Sequence, residues 1–176
     1  LVLRPEKSKE AVFSFQTSAR HSLPLAFFII FISATVIVMF AIGVKVFLAD
    51  YNAAQSIKID SIDGKIAKLT KAIELAPYRD AYYIGLANNY IALANKIAQT
   101  SGLNADVVKN INLAISSAKK AVEINPAKAV NNELLALIYE NAALYTKGGI
   151  IEYMKYLTDS YDKVIELDPN NPAPYF

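Results

Sequence analysis

From Ser22 to Val44 the chain carries 23 residues without a charge, SLPLAFFIIFISATVIVMFAIGV. A helix of that length measures about 34 Å, and a bilayer's hydrocarbon core is about 30 Å thick. Few folds accept such a run. A buried helix of a soluble protein seldom exceeds about 18 residues without a charge. The apolar part of a cleaved leader is usually about 7–15 residues, and no A-x-A-like cleavage site follows here. The run therefore predicts a transmembrane helix over 22–48, with residues 1–21 as a flank and 49–176 as a separate domain. Pro24 falls in the first turn, where its missing N–H removes no hydrogen bond. Lys45, on the far side, can reach back to the interface with its long stem.

The flanks set the expected orientation. Arg4, Lys7, Lys9 and Arg20 precede the run, and Lys45 and Lys58 are the two basic residues that closely follow it. Basic residues are retained on the cytoplasmic side. Residues 1–21, with His21 as an interfacial residue, are then expected in the cytoplasm and the rest on the external face.

Composition changes where the run ends. Seven of the eight Phe lie in residues 1–48 and all eleven Tyr in residues 51–176. Phe suits hydrocarbon, whereas Tyr suits a packed core that still offers its hydroxyl a partner. Net charge is +2, with no basic patch for nucleic acid. Cysteine is absent and histidine occurs once. Disulfides, thiolate sites and multi-histidine metal centres are thereby excluded. The six glycines form neither G-x-G-x-x-G nor a P-loop. The carboxylates lie near Lys at helical spacing, as on solvated helix faces. No catalytic residue, cofactor or metal is expected in this piece, and no nucleic-acid partner.

The region after residue 48 repeats itself. KAIELAP (71–77), KAVEINP (120–126) and KVIELDP (163–169) share K-[AV]-[IV]-E-[IL]-x-P, and their prolines are 49 and 43 residues apart. Each copy reads as a helix stopped by proline, with a small or β-branched residue five positions before it. A second pattern follows each proline. Tyr83, Leu86, Ala87 and Tyr90 stand at i, i+3, i+4 and i+7, and Leu135, Ala136 and Tyr139 occupy the matching places. These offsets line one helix face. Pro172-Ala-Pro-Tyr175-Phe176 opens a third copy, and the sequence has no initiating Met, so a longer protein is expected at both ends.

These motifs resemble the tetratricopeptide repeat, a helix–turn–helix unit of 34 residues with W-x2-L-G-x2-Y, then A-x3-F-x2-A, then P. Tyr83 and Tyr175 stand in place of Trp, with Asn132 in the middle copy. Leu86, Ala87 and Tyr90, then Leu135, Ala136 and Tyr139, match L-G-x2-Y. Ala114, Ala118 and Ala121, then Leu157, Tyr161 and Val164, match A-x3-F-x2-A. Pro77, Pro126 and Pro169 match the closing proline. The spacing exceeds 34 by 15 and 9 residues, both between the two helices of a unit. The first excess contains a Ser101-Gly102 turn with Asn104 as an N-cap, the second Lys147-Gly148-Gly149. Helices are expected over 22–57, 62–75, 79–99, 105–124, 128–146 and 150–167. The expected fold is all-α: one transmembrane helix, then a right-handed α-solenoid of long antiparallel pairs. Tyr83, Leu86, Ala87, Tyr90, Ala114, Ala121, Pro126, Leu135, Ala136, Tyr139, Tyr161 and Pro169 are assigned to packing between repeat helices.

The resemblance implies a concave groove for a protein or peptide partner. Its expected residues are Ile84, Asn88 and Ile91 in one unit and Glu133, Leu137, Glu140 and Asn141 in the next. The basic clamp of chaperone-binding members is unmatched, because Ile84 and Gly85 stand where it needs polar or basic groups. The order of membrane helix, APYRDAYY and ELDPNNPAPY also resembles the C-terminal tail of bacterial O-antigen ligase/polymerase-like membrane proteins. That implies a scaffold on the external face of the bacterial cytoplasmic membrane, with glycan chemistry in an upstream membrane domain. The alternative is a stand-alone single-pass adaptor, and upstream sequence separates the two.

Overall fold

The computed structural model describes residues 19–145 and 149–175, with side chains over 23–145 and 153–175. Among the described residues the protein is all-α. The helices are α1 (Ala19–Ile57), α2 (Ile62–Leu75), α3 (Asp80–Ser101), α4 (Ala105–Ile124), α5 (Ala129–Tyr145) and α6 (Gly149–Leu167). A short 3-10 turn, η1 (Ala173–Tyr175), follows. Each expected helix is present with ends shifted by up to three residues, because first and last turns fray. Lys147 and Gly148 of the second expected turn lie outside the described residues.

Compact packing divides the chain into Leu1–Gly43 and Val44–Phe176. In the first unit α1 is long and apolar enough to cross a membrane. Each described side chain from Leu23 to Gly43 is exposed, and Thr35 Oγ1 donates to the Phe31 carbonyl at 2.8 Å. A hydroxyl that satisfies itself on its own helix does not need water.

The second unit begins inside α1, five residues before the expected position, because packing starts there. Val46 is half-buried and Ala49 fully buried. Beyond it the helices pack in sequence, most extensively α3 on α4 and α5 on α6. The core joins Ala87 and Ala94 of α3, Ile111, Ala114 and Ala118 of α4, and Leu135, Ile138 and Tyr139 of α5. Alanine at so many contacts lets the backbones approach. Gly85 serves the same end, since a Cβ there would meet the Leu69 side chain at 3.2 Å. The Tyr139 ring stacks on Tyr153 and Tyr156, with centroids 5.9 and 5.3 Å away, and Lys119 Nζ lies over Tyr139 and Tyr156. One cation and three rings thus tie α4, α5 and α6 together.

The three proline turns are built alike. The residue before each proline donates its N–H to the residue five before it: Ala76 to Ala72 at 3.0 Å, Asn125 to Ala121 at 3.1 Å, Asp168 to Val164 at 2.8 Å. Proline forces its predecessor out of the helical region. Ala76 (φ −143°, ψ 75°) and Asn125 (φ −139°, ψ 79°) show that effect. Ala72, Ala121 and Val164 are all fully buried. Arg79, Lys128 and Asn171 then donate back to Ala76, Asn125 and Asp168. Pro126 and Pro169 themselves are exposed, which corrects their assignment to packing. Their role is to end a helix and shape a turn, and that requires no burial. Asn104 caps α4 as expected, accepting from the N–H groups of Asp106 and Val107 at 3.0 and 3.1 Å. Gly102, at φ 72°, ends α3 in the left-handed region that glycine enters without strain.

Candidate interaction groove

The groove's walls depend on the relative direction of the helices that line it. Side-chain bonds establish this for α3 and α5. At the starts, Asp80 accepts from Lys128 at 3.0 Å and from Asn131 at 3.1 Å. Near the ends, Tyr145 donates to Asn95 at 2.8 Å. Start bonded to start and end to end means that α3 and α5 are parallel.

The bonds at the starts recur one unit earlier. Arg79 donates to Asp50 on α1 at 2.8 Å, and the Tyr82 hydroxyl donates to the other oxygen of the same carboxylate. Arg79 and Tyr82 precede Lys128 and Asn131 by 49 residues each, which is the spacing of the first two prolines. In the third copy Asn171 occupies the place of Arg79 and Lys128 and donates to Glu133 at 3.1 Å. Each junction therefore carries a clasp, in which a carboxylate of one helix receives the residue two past the next proline.

Asn131 is the most enclosed member. It is fully buried, and its amide also donates to the carbonyls of Ala121 and Asn125 at 3.0 and 3.2 Å. Burial works against the Asp80 charge, but hydrogen bonds from Lys128 and Asn131 outweigh it and hold the carboxyl below the usual range. Burial also pushes the Tyr82 phenol up, helped by the neighbouring Asp50.

Above the second clasp lies a groove of about 380 Å³ between α3, α5, α6 and η1. It brings together four of the seven residues expected there: Ile84 and Asn88 from α3, Glu133 and Leu137 from α5. The other three sit elsewhere. Ile91 is half-buried against the core. Asn141 turns back to donate to the Leu137 carbonyl at 2.8 Å. Glu140 is exposed, and its charge reaches Tyr161. Val130, Leu134 and Ala173 complete the lining.

Tyr161, expected in repeat packing, is half-buried and lines this groove. Its phenol is pushed up by burial first, then by Glu140 and Glu133. Tyr83 is also half-buried, and it lines a separate cavity of about 490 Å³ with Ile73, Leu86 and Lys120. Tyr90 packs half-buried on the core. Leu86, Ala87, Ala114, Ala121, Leu135, Ala136 and Tyr139 are buried, where packing residues belong. Tyr161 escaped sequence reasoning because periodicity gives its face on α6 but not η1, which leaves that face partly open.

The groove is mainly apolar along α5 and carries the Glu133 carboxylate. Among the described residues no three His, Cys, Asp or Glu side chains converge as a metal site would require. Neither a known protein-family model nor a curated protein matches the chain.

Proposed function

We propose that this chain is a membrane-anchored interaction scaffold of the tetratricopeptide type. On this reading α1 crosses the bacterial cytoplasmic membrane, and the groove between α3, α5 and α6 receives a segment of a partner protein on the external face. The observation that carries it is the groove itself, where Ile84 and Leu137 face open space beside Glu133. Leu137 is 48% exposed and Val130 53%. An unfilled apolar strip between parallel helices suits an apolar anchor. The identical proline turns support the repeat type, and the excess of basic residues before Ser22 supports the orientation. Glu133 and Glu140 favour a partner with Lys or Arg beside its anchors.

As for the intact protein, we read this piece as the non-catalytic tail of an O-antigen ligase/polymerase-like membrane protein. About ten further apolar spans upstream would agree with that, whereas a short cytoplasmic flank would leave a stand-alone adaptor.

The test is a photo-crosslinking residue placed at Leu137 in the membrane-embedded protein, with Lys109 on exposed α4 surface as control. A discrete adduct at Leu137 and none at Lys109 is expected. Equal adducts, or none at either position, reject the groove as a binding site. A periplasmic phosphatase fused after Phe176 should be active, and its inactivity rejects the orientation.

A further inference from the structure

The first clasp fixes a height as well as a contact. Val44 ends the uncharged run, and Asp50 lies six residues further along the same helix. That is about 9 Å of axis. Each headgroup layer beside the hydrocarbon is about 5–8 Å thick. A typical tilt of about 20° shortens the rise by less than 1 Å. Asp50 is therefore at the outer edge of the headgroup layer or just beyond it if the run fills the hydrocarbon core. The Arg79–Asp50 bond, at 2.8 Å, and the Tyr82–Asp50 bond hold the α2–α3 turn at that level.

The surface there has the character of an interface. Phe47 is 68% exposed and Tyr51 52%, four residues apart and so on one face of α1. Ala49 and Asn52, on the other side of the helix, are buried. Tyr78, next to Arg79 in the turn, is 56% exposed. Tyrosine rings with an apolar body and a polar tip collect at the membrane–water boundary. The Asp50 carboxylate has both oxygens bonded, as a charge needs where water is scarce.

We propose that Phe47 lies in the lipid headgroup layer and Tyr51 and the Pro77–Arg79 turn at its outer edge, so that the helical domain touches the membrane surface through its first clasp. This rests on the reading of α1 as a membrane helix.

The chain contains no Trp, so a single introduced Trp reports one position. Three variants of the whole chain, Phe31→Trp, Tyr51→Trp and Tyr78→Trp, are placed in phosphatidylcholine vesicles. The lipid carries a nitroxide either on the headgroup or deep in the acyl chain, and N-acetyltryptophanamide serves as the water-exposed standard. Phe31→Trp should be quenched most by the acyl-chain nitroxide. Tyr51→Trp and Tyr78→Trp should lose at least half their emission to the headgroup nitroxide and less to the deep one. Adding Asp50→Ala to Tyr78→Trp, with helix content checked by circular dichroism, should remove part of that quenching. The inference is overturned if Tyr78→Trp behaves like the water-exposed standard while Phe31→Trp is quenched. Stronger quenching of Tyr78→Trp by the deep nitroxide overturns it as well. An unquenched Phe31→Trp overturns the membrane reading itself, and the inference with it.

Discussion

The α1–α3 and α3–α5 junctions use one plan with different side chains. In both, a carboxylate takes the cation two residues past a proline and a second donor three residues further on. At the first junction the cation is Arg79, the second donor is Tyr82, and the Arg79 and Asp50 side chains are 46% and 49% exposed. At the second the donors are Lys128 and Asn131, the Asp80 side chain is only 17% exposed, and Asn131 is fully buried. The repeat preserves the donor positions, while burial decides what each bond contributes. An exposed ion pair is weakened by water and salt, whereas a buried donor deprived of its acceptor carries its full desolvation cost.

Three measurements can break or sharpen this contrast. The largest effect belongs to the ring pair Tyr90 and Tyr139, which are 49 residues apart at matching places. Tyr139 is 3% exposed, so Tyr139→Ala should cost about 3–5 kcal/mol, as for other buried aromatics. Tyr90→Ala, at a half-buried site, should cost clearly less. Thermal melts of the whole chain in micelles, followed by helical circular dichroism, check this. Equal losses would mean that repeat position outweighs burial.

The clasps come next. Asp80→Ala removes a mostly buried charged acceptor shared by Lys128 and Asn131, whose amide keeps the Ala121 and Asn125 carbonyls, and should cost about 1.5–3 kcal/mol. Asp50→Ala should cost less in the same melts, since the exposed Arg79 can turn to water and the Tyr82 hydroxyl, unlike its buried ring, meets Asp50 at a part-buried place. The reverse order would place the main junction at α1.

The smallest effect is the acid limb. The Asp80 carboxyl is held below its ordinary pKa of about 3.9, so its stabilising effect is complete above about pH 4 and fades as pH falls through the lower folded value. Asp80→Asn should flatten that limb of the stability curve relative to the parent chain. An unchanged limb would assign the acid sensitivity to other carboxylates.

Most of the helical layout was legible in the sequence. Prolines and Asn104 mark helix ends by local chemistry, and local chemistry is what a sequence displays. Ile84, Asn88, Glu133 and Leu137 were legible too, because helical period alone puts them on one face. The clasps were not. Asp50, Asp80 and Glu133 share no motif, and they lie 29, 48 and 38 residues from Arg79, Lys128 and Asn171. Such pairs become visible only once the stacking is known. The place of Tyr161 in the groove was not legible for a related reason, since its surroundings include η1, a turn from another part of the chain.

The two complete helix pairs also differ in reach. α3 has 22 residues against 17 in α5, and α4 has 20 against 19 in α6. These differences account for the whole six-residue gap between the 49- and 43-residue spacings. The proline turns are built alike and the helices vary in length, so the described helices differ at the ends away from the clasps. Asn95 is level with Tyr145, the last residue of α5, and α3 continues for six residues beyond it. That continuation projects by about 9 Å, like an uneven comb whose teeth share a straight spine. Lineages that lengthen or trim the free ends can change what the domain reaches without disturbing how its units are joined.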